Sequence, residues 1–208
     1  VGGLDRYATP VKVMDNVSTI TTNGGTAYVV KTDGTLWAWG SNDYSRLGVG
    51  DTEDRYIPVK VMDNVSTIIA SEYSACAVKT DGTLWAWGDN YWGQLGVGDT
   101  ETRYVPVKVT DSVSAVAVNE NGTVAYAVKT DGTLWAWGRN NHGQLGVGDT
   151  EDRYTPVKVM DNVSTIIASE YYSAYAVKTD GTLWAWGDNG WGQLGVGDTE
   201  TRYVPVKV

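Results

Sequence analysis

The sequence has little of what most catalytic or metal sites are built from. One cysteine, Cys76, stands among 208 residues, so no intramolecular disulfide and no cysteine metal cage can form, and the redox compartment stays undetermined. One histidine, His142, confines any Ser-His-Asp system to a single position, and no Gly-x-Ser-x-Gly accompanies it. Positive charge is scarce: 16 Lys and Arg against 25 Asp and Glu leave a formal charge of −9. That balance argues against wrapping a nucleic-acid backbone, which needs a concentrated positive field. Long apolar runs are also missing. No stretch approaches the roughly 18 residues of a membrane span, no charged-then-apolar segment opens the chain, and no window sustains a helical period. With 42% hydrophobic and 20% charged residues, the chain reads as a soluble globular protein with no metal, no cofactor and no membrane or nucleic-acid partner.

What is present is repetition. The stretch GVGDTEDRYIPVKVMDNVSTIIASEY occupies 48–73 and returns at 146–171 with one change, Ile57 for Thr155. Pro10, Pro58, Pro106, Pro156 and Pro205 open successive Pro-Val-Lys-Val motifs spaced by 48, 48, 50 and 49 residues. Trp37, Trp85, Trp135 and Trp184 mark Leu-Trp-Ala-Trp-Gly at spacings of 48, 50 and 49. A fixed period of this size signals a tandem-repeat architecture. The segment 100–109 recurs at 199–208, so a two-unit block has been copied, and duplication or deliberate design would leave the same trace.

Within each unit the pattern is β. VSTIIA (65–70), SACAVK (74–79), TLWAWG (83–88) and YIPVKV (56–61) are short runs rich in Val, Ile, Thr and aromatics. KTDGT carries Asp-Gly between two of them, the mark of a tight hairpin. Four short strands per tandem unit predict an all-β protein, a β-propeller of four-stranded antiparallel blades with four blades per chain. The blades fall at about 14–61, 62–109, 110–159 and 160–208 within one tandem-repeat domain, 1–208. In Leu-Trp-Ala-Trp-Gly the alternation places Trp85 and Trp87 on one side of the sheet and Leu84 and Ala86 on the other, so large residues face small ones between blades.

The unit AVKTDGTLWAWGDNYWGQLGVGDTETRYVPVKV (77–109) resembles the repeat of the regulator of chromosome condensation family. Its Trp-Gly, Gly-Gln-Leu-Gly and Gly-Asp-Thr elements recur along nearly the whole chain. The resemblance implies four-stranded blades, ordinarily seven to a ring, and members that are often protein-binding scaffolds. Guanine-nucleotide exchange on a small GTPase is known in the family, but no blade here carries an insertion beyond one or two residues to act as a wedge. A light-sensing relative uses clustered tryptophans, whereas the tryptophans here repeat at packing positions.

Four blades fall short of seven, and the strand count is uneven. The inner three strand types occur four times, while the outer type occurs five times, because RYATPVKV (6–13) precedes the first inner strand. The surplus outer strand over 1–13 fits a closing strand exchange in a small ring, an open array that leaves it exposed, or two chains that pair their ends into an eight-bladed ring. The paired ring is the expectation, because four blades shaped for a larger ring should not close alone. Lys and Pro in the outer strand suit a sheet edge.

Antiparallel pairing then sorts the turns onto two faces. On the lower face KTDGT is identical in all four units, and the turn before each inner strand is MDN three times and TDS once. The upper face differs in every unit: TTNGGTA, ASEYSA, VNENGTVA and ASEYYSA in one set of turns, and SNDYSR, DNYWGQ, RNNHGQ and DNGWGQ in the other. Loops on a rigid scaffold are where binding chemistry usually sits. Tyr44, Arg46, Glu72, Tyr73, Tyr91, Trp92, Arg139, His142, Tyr171, Tyr172 and Trp191 are therefore the candidate contact residues, most of them types enriched at interface hot spots. Neutral drift in tolerant loops, or capping of the blade packing, are the competing readings. Solvent exposure of Trp92 and Trp191 decides between them.

Other signals carry less. Asp-Thr-Glu-Asp-Arg (51–55) lacks the ligand alternation of a calcium loop, so Asp51 is expected to make a turn and Arg55 to pair with a neighbouring acid. Cys76 fills the slot of Tyr28, Tyr126 and Tyr175 and reads as strand packing. Asn-x-Ser/Thr at 16, 64, 121 and 162 matches the glycosylation acceptor, mostly as copies of one turn. No catalytic constellation is present, and the chain is read as non-enzymatic. The functional classes are a protein-binding scaffold, a glycan-binding module using Trp and Tyr platforms, as in a secreted or cell-surface bacterial protein, and a structural repeat module without a ligand.

Overall fold

Short β-branched runs separated by Asp-Gly turns form four successive meanders in a computed structural model that describes residues 9–208. The first sheet is β1 (Val17–Asn23), β2 (Thr26–Lys31), β3 (Leu36–Gly40) and β4 (Arg55–Met62). The second is β5 (Val65–Ala70), β6 (Ser74–Lys79), β7 (Leu84–Gly88) and β8 (Arg103–Thr110), and the third β9 (Val113–Val118), β10 (Val124–Lys129), β11 (Leu134–Gly138) and β12 (Arg153–Met160). The fourth is β13 (Val163–Ala168), β14 (Ser173–Lys178), β15 (Leu183–Gly187) and β16 (Arg202–Lys207). Each sheet is an antiparallel blade in chain order. Every outer strand pairs within its own blade. Residues 9–13, the described part of the expected surplus strand, join no sheet, and residues 1–8 of that expectation lie outside the described residues.

The lower-face hairpins explain why KTDGT does not vary. Gly82 takes a φ of 80°, a conformation that glycine adopts without a Cβ clash. Asp81 accepts hydrogen bonds from the Thr83 amide at 3.0 Å and the Thr83 hydroxyl at 2.7 Å. That hydroxyl in turn accepts the Trp85 indole N–H at 2.9 Å, while Lys79 Nζ lies 4.6 Å from the Trp85 ring centroid. The same network recurs in the other blades, with a longer Lys31–Trp37 separation in the first. The first tryptophan of each Leu-Trp-Ala-Trp-Gly is thus a half-buried cap on its own hairpin, while the second is buried between blades in the second, third and fourth copies and half-buried in the first.

The apolar core lies between the sheets. Three clusters join blades one and two, two and three, and three and four. Trp87, Trp137 and Trp186 are fully buried and sit against Gly48, Gly96 and Gly146 of the preceding blade. Each indole N–H donates to a backbone carbonyl there: Trp87 to Arg46 at 2.7 Å, Trp137 to Gln94 at 2.8 Å and Trp186 to Gln144 at 2.8 Å. Two backbone bonds complete every joint. Gly50, Gly98 and Gly148 donate to the carbonyls of Tyr104, Tyr154 and Tyr203, each at 2.8 Å. Val65, Val113 and Val163 donate to Gly34, Gly82 and Gly132 at 2.8–2.9 Å. Aromatic burial supplies the energy of the joint, and the three bonds fix its register.

Candidate interaction face

The variable loops are built on an invariant frame. Asn42, Asn90, Asn140 and Asn189 are fully buried. Asn90 donates its amide to the Asp99 carbonyl at 2.8 Å and accepts the Leu95 amide at 2.9 Å, and its three counterparts do likewise. Asp99 is braced by Arg103 at 2.5 Å, and Arg55 holds Asp51 at the same distance. These guanidiniums and the amides of the following turn hold the Asp carboxyls below their ordinary range, the Arg side chain contributing most at Asp51 and Asp99. The Asn was absent from the candidates chosen by sequence. Its constancy inside otherwise variable loops was the available signal.

On this frame the variable side chains reach from blade to blade. Tyr44 meets Tyr73 edge-on at 5.0 Å between centroids. Trp92 stacks under Arg139, whose Cζ lies 4.4 Å from the ring centroid and 5.5 Å from that of Tyr172. His142 stacks on Tyr172 at 4.5 Å with the planes 13° apart, and Tyr91 packs edge-on to Trp92 at 4.9 Å. An aromatic and cationic row therefore runs from Tyr91 to Tyr172 across three blades. The backbone is committed as well: Tyr44 and Tyr172 hold φ of 61° and 58°, where bulky residues are strained.

The candidate residues fall into separate environments. Arg46 is buried, donating Nε to the Asp43 carbonyl at 2.9 Å and a terminal nitrogen to the Gly24 carbonyl at 3.0 Å. It ties two loops together, whereas the Gln side chain at the same position in the other blades, 94, 144 and 193, bonds only within its own loop. Trp92, Arg139, His142, Tyr73 and Tyr172 are half-buried in the contacts above. Glu72 donates its backbone amide to the Glu120 carbonyl in the next blade at 3.2 Å, and its carboxylate raises the pKa of the Tyr73 phenol. Tyr91 and Tyr171 project outward at 69% and 65% exposure. Trp191, at the loop position of Tyr44, Trp92 and His142, is 89% exposed. The difference has a simple source: the other three rest on a following blade.

Among the described residues no three His, Cys, Asp or Glu side chains gather as a metal site would require, and no helix is long and apolar enough to cross a membrane. Cys76 lies buried, and burial pushes its thiol up to about 12.

Four-stranded antiparallel blades joined face to face by buried tryptophans define the β-propeller class. The chain belongs to the Regulator of chromosome condensation (RCC1) repeat family, whose model matches residues 33–78, 81–126, 131–175 and 180–208. A second model of the same repeat matches 65–94 and 113–144. Each full match begins at the lower hairpin of one blade and ends in the second strand of the next, so the sequence repeat spans a joint. Among solved structures, human WBSCR16 is similar with a TM-score of 0.78 and 24% identity over 96% of this chain and 55% of its own. Yeast RCC1 (Prp20), solved with Kap60, gives 0.79 and 22% over 96% and 50%. Prp20p from Saccharomyces cerevisiae, described with its binding properties to Gsp1p and histones, gives 0.76 and 22% over 97% and 52%. The chain spans about half the length of these proteins. No curated protein sequence matches it significantly.

Proposed function

We propose that this chain is a non-enzymatic scaffold that binds a protein partner through its variable loop face. The observation that carries the reading is the row from Tyr91 through Trp92 and Arg139 to Tyr172 and His142. Its members are held by one another and by the Asn-Asp-Arg frame, so they lose little conformational freedom when a partner covers them. Aromatic and Arg side chains so ordered are the types that dominate protein interfaces. Outward-facing Tyr91 and Tyr171 add rigid apolar area on the same face. The relatives support the class of activity without naming a partner, since yeast Prp20 is described with protein partners.

The test is a double replacement of exposed residues, Tyr91→Ser with Tyr171→Ser, scored by capture of a protein from the source organism and by thermal unfolding. Loss of a captured protein at unchanged unfolding temperature supports the reading. Capture unaffected by the pair sinks it. Retention on a glycan array by the native chain, lost in the variant, favours instead the glycan-binding alternative.

A further inference from the structure

The three internal joints show what each side of a blade binds, and among the described residues the two end blades each leave one such side without a facing blade. On the fourth blade, Leu183 is 39% exposed where Leu36, Leu84 and Leu134 are fully buried. Gly195, the counterpart of the glycines that seat Trp87, Trp137 and Trp186, is exposed. Among the described residues Gln193 offers its carbonyl to Tyr175 alone, at 2.8 Å, whereas the Arg46 carbonyl accepts both Tyr28 and Trp87. On the first blade, Ile20 is 62% exposed against 7% for Ile68 and 8% for Ile166. Among the described residues, no acceptor meets the Trp39 indole N–H.

These are the two halves of one joint. Among the described residues Trp39 meets neither a glycine seat nor a carbonyl, and the fourth blade offers both. The backbone bonds are split in the same way: Gly197 is the counterpart of the donors Gly50, Gly98 and Gly148, and Tyr56 of their acceptors. Val17 and Gly181 stand in the same relation for the lower bond, and none of these end residues makes its joint bond among the described residues. Exposed apolar faces of this kind mark association sites.

We propose that a second copy of this chain seats its first blade on the fourth blade of the first, with Trp39 of the second copy over Gly195 and donating to the Gln193 carbonyl. The contact is heterologous, so it either closes or propagates. Four blades cover about half of each similar solved chain, so two copies supply a full turn. The same joint then forms twice and closes an eight-bladed ring. Trp191 gains the following blade that Tyr44, Trp92 and His142 already have.

The experiment is the solution mass of the 208-residue chain by light scattering, with the variants Gly195→Leu and Ile20→Asp. The expected result is a mass twice the 22.5 kDa of one chain. Each variant falls to the single-chain mass with an unchanged β spectrum, because it alters a face uncovered in the isolated chain. A single-chain mass for the native protein overturns the proposal, as does a ladder of higher multiples, which would mean that the joint does not close. A dimer that survives both substitutions overturns it too, by placing the interface elsewhere. If a variant loses its β spectrum, the native mass and the other variant still decide.

Discussion

The indole N–H of Trp137 in the third blade donates to the carbonyl of Gln94 in the second, 43 residues earlier, at 2.8 Å. The ring lies on Gly96, where an added Cβ would stand 2.7 Å from Nε1. This relation, repeated three times, sets how close the blades come.

Gly96→Ala is therefore expected to cost about 3 kcal/mol or more, combining the clash with a rigid ring and the left-handed φ of 74°. Gly181→Ala is the control. Its φ is 83° but nothing lies within 4 Å, so only the backbone term of about 1–2 kcal/mol applies. Urea unfolding of the two variants checks the difference, and equal losses would remove the seat from the account.

Ser45→Gly should stabilise the chain by about 1 kcal/mol. Ser45 sits at a φ of 60° where the other blades use Gly93, Gly143 and Gly192 at 69–71°. Its hydroxyl is buried without a partner, so removing it sacrifices no hydrogen bond. Ser112, at 61° where the other turns place Asn, gives a second site: Ser112→Asn is expected to raise the unfolding midpoint by a smaller amount, since Asn tolerates this conformation better.

Cys76 should resist a thiol reagent at neutral pH until the chain opens, because the thiolate is the reactive form and burial disfavours it. Labelling followed against urea should trace the unfolding curve. Labelling well before unfolding would mean that the second blade opens locally. Cys76→Tyr offers the hydroxyl-to-carbonyl bond that Tyr126 and Tyr175 make, worth about 1 kcal/mol. The gap lined by Leu84, Leu95 and Trp137 is only about 10 Å³, so overpacking of about 1–3 kcal/mol should outweigh the bond and lower the urea midpoint.

Acid should weaken the chain through its turn carboxylates. Hydrogen bonds from Thr133 hold Asp131 below its ordinary range, and Asp33, Asp81 and Asp180 are held low in the same way. Arg-paired Asp51, Asp99 and Asp149 behave likewise. Lowered native values mean that the unfolded chain binds more protons, so this stability is complete above about pH 4 and is lost as pH falls through the native values. The urea midpoint should change little from these groups between pH 7 and 5 and drop below 4. Asp81→Asn should flatten that acid limb; an unchanged slope would count against the linkage.

The sequence by itself determined the repeat, the four-strand order, the Asp-Gly hairpins and the sorting of constant and variable turns onto opposite faces. All of these follow from local rules: a period of two along strands, turn residues that tolerate positive φ, and antiparallel succession. Alternation placed both tryptophans of Leu-Trp-Ala-Trp-Gly on one side, as Trp85 and Trp87 are. Only the tertiary structure decided that Trp87 is core and Trp85 a hairpin cap, because that depends on Gly48 and Arg46 some forty residues away. It also decided that Arg46 is buried and that Trp92, Arg139 and Tyr172 hold each other across blades. Loop composition shows which residues are suited to recognition, but neighbouring blades determine which of them remain uncovered, and that geometry arises from contacts no local pattern encodes.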